Sequence, residues 1–226
     1  AAAVESLNQI FDIYWGQIQS SAIIYISISQ NQAFSNPLNA AAVNSYFQNA
    51  SHFWAGLSPT ASWTNVYGQI VVSALQAGRN IVNLTLANIN SAWGIQLSGP
   101  SNAFVVFNIT DATGTLNAVT FNFSGGMNAS NVLFNLPNST SLVLSGGSYA
   151  SVLAPISSIS FPSGVVQGNL VADTLSGSGS IQAGSFTGFA ADQSNFVVAA
   201  PEPHMYLILA TLLGFALYFK RKRTQT

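Results

Sequence analysis

Asn131-Val132-Leu133-Phe134-Asn135-Leu136 holds three large apolar side chains in a row between amides. A strand with one wet face alternates apolar and polar residues, whereas a strand covered on both faces reads as a continuous apolar run. Val132 to Leu136 is of the second kind. The same texture recurs at Ile70 to Leu75, Asn80 to Ala87, Phe104 to Ile109, Leu116 to Phe123 and Leu142 to Leu144. It continues at Tyr149 to Leu153, Ile156 to Phe161, Val165 to Ala172 and Ser180 to Phe186, with Gly, Asn and Ser between the runs. Successive short strands buried from both sides predict a stacked coil, a β-solenoid, rather than an open sandwich. No fixed-length repeat is visible, so the expected solenoid is irregular.

Upstream of these runs lies the clearest helix signal. Asn36 is a good N-cap, Pro37 suits the first helical position, and Leu38, Ala42, Tyr46, Phe53 and Leu57 trace one face toward Ser58-Pro59. This predicts a helix over residues 38–57 docked on a sheet. Before it, Val4, Leu7, Ile10, Phe11, Tyr14 and Trp15 keep helical spacing, and Ile18 to Ile28 carry a strand-like parity. Residues 1–37 read as a truncated part of the β domain, and the opening Ala1-Ala2-Ala3 suggests a removed signal or a fragment.

The chain has 226 residues, 49% hydrophobic and 5% charged, with no cysteine. Residues 1–200 carry one cation, Arg79, against Glu5, Asp12, Asp111, Asp173 and Asp192, which excludes nucleic-acid binding by charge. Disulfides, cysteine-ligated zinc and a cysteine nucleophile are excluded too. Low charge with abundant Asn, Ser, Thr, Gly and Ala points to an exported, extracellular body.

At the other end, Pro201-Glu202-Pro203 precedes an uncharged apolar run from Met205 to Phe219, and Lys220, Arg221, Lys222 and Arg223 follow. As a helix the run rises about 22 Å, a short membrane span that Lys220 can lengthen by extending its ammonium toward the headgroups. The basic cluster is a membrane stop that keeps the cytoplasmic side and places the body outside. Two prolines hold the tripeptide extended.

Tripeptide, apolar helix and basic cluster together resemble the PEP-CTERM sorting signal of Gram-negative bacteria. That resemblance implies sorting by exosortase at the inner membrane, recognition of Pro201, Glu202 and Pro203, and release to the cell surface. A second resemblance covers residues 38–189. Asn131 to Asn135, Val152-Leu153-Ala154-Pro155, Gly168 to Ala172 and Leu175-Ser176-Gly177-Ser178-Gly179 are similar to the choice-of-anchor A domain of bacterial surface proteins. This family is related in pattern to ice-binding-like β-solenoids with one long helix. It implies an irregular right-handed β-solenoid in which Phe134 fills the interior, Ala154 and Ala172 allow close stacking, and Pro155 and Gly168 turn corners. Residues 190–200 then read as a linker and residues 201–223 as the sorting signal, with a transmembrane helix over 205–219.

Little in the body is chemically reactive. His52, on or beside an aromatic helix face, reads as packed or solvated; Asp111, Asp173 and Asp192 lie in turn-like contexts that favour capping. Neither a nucleophile elbow nor a phosphate loop is present. Ice binding calls for a flat array of regularly spaced threonines, and the body's one Thr-x-Thr, Thr113-Gly114-Thr115, reads as a turn. The expectation is therefore a non-enzymatic exported surface or matrix protein without cofactor or metal. Its expected partners are exosortase, inner-membrane lipid and an exopolysaccharide or other matrix polymer. The alternative is a carbohydrate-binding module or carbohydrate-active enzyme, which a strip of exposed aromatics or a pair of close carboxylates in a groove would favour.

Overall fold

The computed structural model describes residues 24–25, 40–182 and 184–196. In chain order these form β1 (Ile24–Tyr25), helix α1 (Ala40–Ala55), β2 (Trp63–Val66), β3 (Gln69–Val72), β4 (Gly78–Leu84), the short helix α2 (Leu86–Asn90), β5 (Gly94–Ser98), β6 (Ala103–Ile109), β7 (Thr113–Leu116) and β8 (Thr120–Ser124). There follow β9 (Val132–Asn135), β10 (Ser141–Leu144), β11 (Ser148–Tyr149), β12 (Ser151–Phe161), β13 (Val165–Gln167), β14 (Leu170–Gly177), β15 (Ser180–Gln182) and α3 (Thr187–Asp192).

Eight strands make one sheet in the order β1-β14-β12-β9-β6-β4, with β10 beside β12 and β7 beside β10. All its pairings are parallel except the antiparallel β1–β14 pair. Two smaller sheets, β2-β3-β5-β8 and β11-β13-β15, carry the chain between parallel neighbours.

The large sheet curls because β12 belongs to two parts of it. Ser151–Leu153 pair with β9, Ser158–Ser160 pair with β10, and the register against β14 shifts between Ala154 and Ser158. Pro155 sits in that shift, where the ladder does not need its missing N–H. The expected fold is corrected accordingly. In place of an irregular right-handed β-solenoid of separate short strands, the described residues form a curled, half-barrel sheet of mostly parallel strands with few helices. The expected transmembrane helix has no counterpart among the described residues, where no helix is long and apolar enough to cross a membrane. Met205 to Phe219 itself lies outside them, as do Pro201–Pro203 and Lys220–Arg223.

The curl encloses the larger core. Phe134 is fully buried there and stacks on its register partner Phe107, with ring centroids 5.6 Å apart and planes at 25°. Val132 shares this core, and Ile181 packs against it half-buried. Leu153 and Val171 do not: their parity turns them to the outer side, into a second cluster under α1 with Ile81, Val106 and Leu133. The apolar side chains thus form two cores, separated by the sheet. Ala154 and Ala172 are register partners, both buried, and Gly168 turns with φ +151°, where a Cβ would lie 2.3 Å from Ser151 Oγ.

α1 docks on β12, β6 and β9. Tyr46, Phe47, Ala50, Ser51 and Trp54 are its buried residues, at helical spacing, while His52 is exposed. Trp54 lies at the centre of the face, although the sequence pattern had traced it through Phe53. Amides fix the helix's position along the sheet. Asn135 Nδ2 donates to Ser51 O (2.9 Å) and to Asn108 Oδ1 (2.8 Å), Ser51 Oγ donates to Asn135 Oδ1 (2.6 Å), and Asn108 Nδ2 donates to Trp54 O (2.8 Å). A buried network satisfied this fully specifies one docking position.

The stretch read as a linker from Ala190 begins inside the fold. α3 and the turn after it bring Phe189 and Phe196 into the aromatic cluster with Trp54 and Tyr46. Asp192 is buried, accepts a hydrogen bond from Trp54 Nε1 (2.8 Å) and pairs with Arg79, whose guanidinium lies over Phe53.

Candidate functional site

Past the corner at Pro155 no described element lies on the large sheet. Here β7, β10, the second half of β12 and the end of β14 run side by side. Each alternates, with Leu116, Leu142, Leu144, Ile159 and Phe161 buried below. The outward positions fall into two ranks by register. The first is Thr113, Ser141, Ser158 and Thr174; the second is Thr115, Val143, Ser160 and Ser176.

All eight outward side chains are exposed or half-buried, and seven carry hydroxyls. Neighbouring strands lie about 4.8 Å apart and alternate residues about 6.6 Å apart, so the hydroxyls form a regularly spaced two-dimensional lattice. Some are held: Ser158 and Thr174 hydroxyls hydrogen bond at 2.6 Å, and Ser176 Oγ donates to Ile159 O at 3.5 Å. No ionisable side chain interrupts the ranks. Such a surface offers neutral donors and acceptors at fixed spacing, suited to a partner that is itself ordered.

The sequence reading missed this face because it took Thr113-Gly114-Thr115 as a turn. In the structure these residues open β7. A signal was available: Thr-Gly-Thr-Leu, Ser-Leu-Val-Leu, Ser-Ile-Ser-Phe and Thr-Leu-Ser-Gly start four segments with outward residues of nearly one kind, the hydroxyl-x-hydroxyl pattern broken at Val143 alone.

The residues weighed for catalysis lie apart in role. Asp111 accepts a hydrogen bond from the Leu86 N–H (3.0 Å) at the start of α2, Asp192 serves the packing of α1, and Asp173 is half-buried. Among the described residues no group of three or more His, Asp or Glu side chains is placed to hold a metal.

Burial raises the pKa of the Tyr149 phenol, whose hydroxyl donates to backbone carbonyls of Leu116 and Gly146 at 3.0 Å. That contact ties β11 to the end of β7.

No curated protein matches the chain. Among solved structures, an ice-binding protein from the Antarctic ascomycete Antarctomyces psychrotrophicus is similar at 15% identity, over 66% of this chain and 70% of that one, with a TM-score of 0.40. A family model described as "Putative Ice-binding-like adhesive domain" matches residues 6–183, most of the chain, and the chain belongs to that family.

Proposed function

We propose that this protein is an exported, non-enzymatic adhesive domain that attaches through the hydroxyl ranks of β7, β10, β12 and β14 to an ordered, hydroxyl-rich polymer surface such as a matrix exopolysaccharide. The observation that carries this reading is the in-register lattice of seven exposed or half-buried hydroxyls. Its adhesive family supports the role and agrees with an extracellular or surface location. A neutral lattice gains little from any one hydrogen bond, about 1 kcal/mol net, so affinity comes from many made at once by a rigid face.

The export step rests on sequence alone: Pro201, Glu202 and Pro203 are the proposed contact for exosortase, and the choice-of-anchor A resemblance adds a bacterial cell-surface setting. The lattice, with three threonines among its seven hydroxyls, also gives a second candidate surface, ice.

Adsorption to microcrystalline cellulose, chitin and ice tests the reading. Ser141→Lys with Ser160→Lys places two hydrated cations in the lattice and is expected to lower adsorption at least tenfold, with an unchanged circular dichroism spectrum. Unchanged adsorption by this variant would overturn the role of the face.

A further inference from the structure

Away from the hydroxyl ranks, on the sheet β2-β3-β5-β8, two large aromatic side chains face solvent. Tyr67 is 97% exposed and Trp93 is 57% exposed. Tyr67 and Gly68 form the two-residue turn between β2 and β3, with φ of +50° and +81°. Such a turn favours Asn or Gly at both places, and a tyrosine held there is strained without a ring contact to repay it. The surroundings hold it rigidly: Trp93 Nε1 donates to Tyr67 O (2.9 Å), the Trp93 N–H donates to Gly68 O (3.0 Å), and the Gly68 N–H donates to Asn65 Oδ1 (2.9 Å).

Trp93 also forms one wall of a cleft of about 410 Å³ that separates β8 from β11, the facing edges of the two small sheets. Its floor is Phe121 and Phe123, stacked with centroids 5.4 Å apart and planes at 5°. Thr120 and Gln167 supply polar groups at the rim, and no ionisable side chain lines it. At one end the cleft is shut, since a Cβ on Gly147 would lie 2.4 Å from Ala118 Cβ, so an extended peptide cannot pair along both edges.

We propose that Tyr67, Trp93 and this cleft bind a soluble, uncharged saccharide chain. The electron-rich ring faces accept the C–H face of a pyranose, as the negative face of an aromatic quadrupole accepts any weakly positive edge. Thr120, Gln167 and the backbone of β8, an edge strand among the described residues, meet hydroxyls. A few polar groups convergent on an apolar cleft fit a small neutral ligand. The inference is independent of the hydroxyl ranks, which lie on a different sheet.

Titration calorimetry with cellohexaose, laminarihexaose and chitohexaose, and with an acidic oligogalacturonate as control, provides the test. At least one neutral hexasaccharide is expected to bind, and Trp93→Ala to weaken it tenfold or more. Tyr67→Asn removes the ring while suiting the turn, so it is expected to melt no lower than wild type and still lose at least tenfold in affinity. Ser141→Lys with Ser160→Lys is expected to bind the hexasaccharide as wild type does. Failure of all three neutral sugars to bind, tighter binding of the acidic control, or wild-type affinity in Tyr67→Asn would each overturn the proposal.

Discussion

Strand β12 passes through two environments, and the comparison of its halves explains the molecule. In Ser151-Val152-Leu153-Ala154 and in Ser158-Ile159-Ser160-Phe161 one parity enters the same inner core: Val152, Ala154, Ile159 and Phe161. The other parity differs. Leu153 meets α1 and its aromatic cluster, whereas Ser158 and Ser160 meet solvent. The inner residues therefore hold the sheet together throughout, and the outer ones report what covers it. Where a helix lies on the sheet the outer parity is Ile81, Val106, Leu133, Leu153 and Val171, with Asn108 and Asn135 bonded to the helix. Where no described element lies on it, that parity is almost wholly Ser and Thr.

The inner parity is expected to carry the largest stability effects. Phe134→Ala removes a fully buried ring stacked on Phe107 and is expected to cost about 3–5 kcal/mol in chemical denaturation. A near-neutral change in the denaturation midpoint would place Phe134 outside the core and break the comparison at its base.

A smaller loss tests the covered half. Asn135→Ala strips the amide that joins Ser51 to Asn108 and leaves buried partners unsatisfied, at a cost of about 1–3 kcal/mol. Because that amide fixes α1, hydrogen exchange in the helix is expected to speed up more than exchange in β10. Equal acceleration in both would mean that the network does not locate the helix.

The bare half is expected to be nearly silent in stability. Ser158→Ala with Ser160→Ala should shift unfolding by no more than about 0.5 kcal/mol, as surface substitutions commonly do. The same pair is expected to lower adsorption to a crystalline polymer. A large destabilisation with unchanged adsorption would make the serines structural.

Sequence legibility follows the same division. Val132 to Leu136 announced a doubly covered strand because its run is almost wholly apolar, and the interior place of Phe134 was implied by the choice-of-anchor A resemblance. Thr113-Gly114-Thr115 was not legible as a strand, since Gly114 in isolation signals a turn and the pairing with Ser141 to Val143 that straightens it is long-range. The β2–β3 hairpin was hidden for a related reason: its turn is Tyr67-Gly68, without the usual Asn or Asp at the first place. Trp54 was passed over because helical spacing admits Phe53 or Trp54, and the partner Asp192 that selects Trp54 lies far along the chain. The low charge of the body was legible in composition, but the neutral lattice on one face of the sheet required the register.

The central claim is that adhesion depends on the order of the hydroxyls and on order in the partner. Adsorption isotherms on one polysaccharide, prepared in crystalline and amorphous forms of equal accessible area, test it most directly. The expected result is at least tenfold tighter adsorption to the crystalline form, unchanged between low and high salt because no charges take part. Equal adsorption to both forms, or adsorption that salt abolishes, would contradict the account.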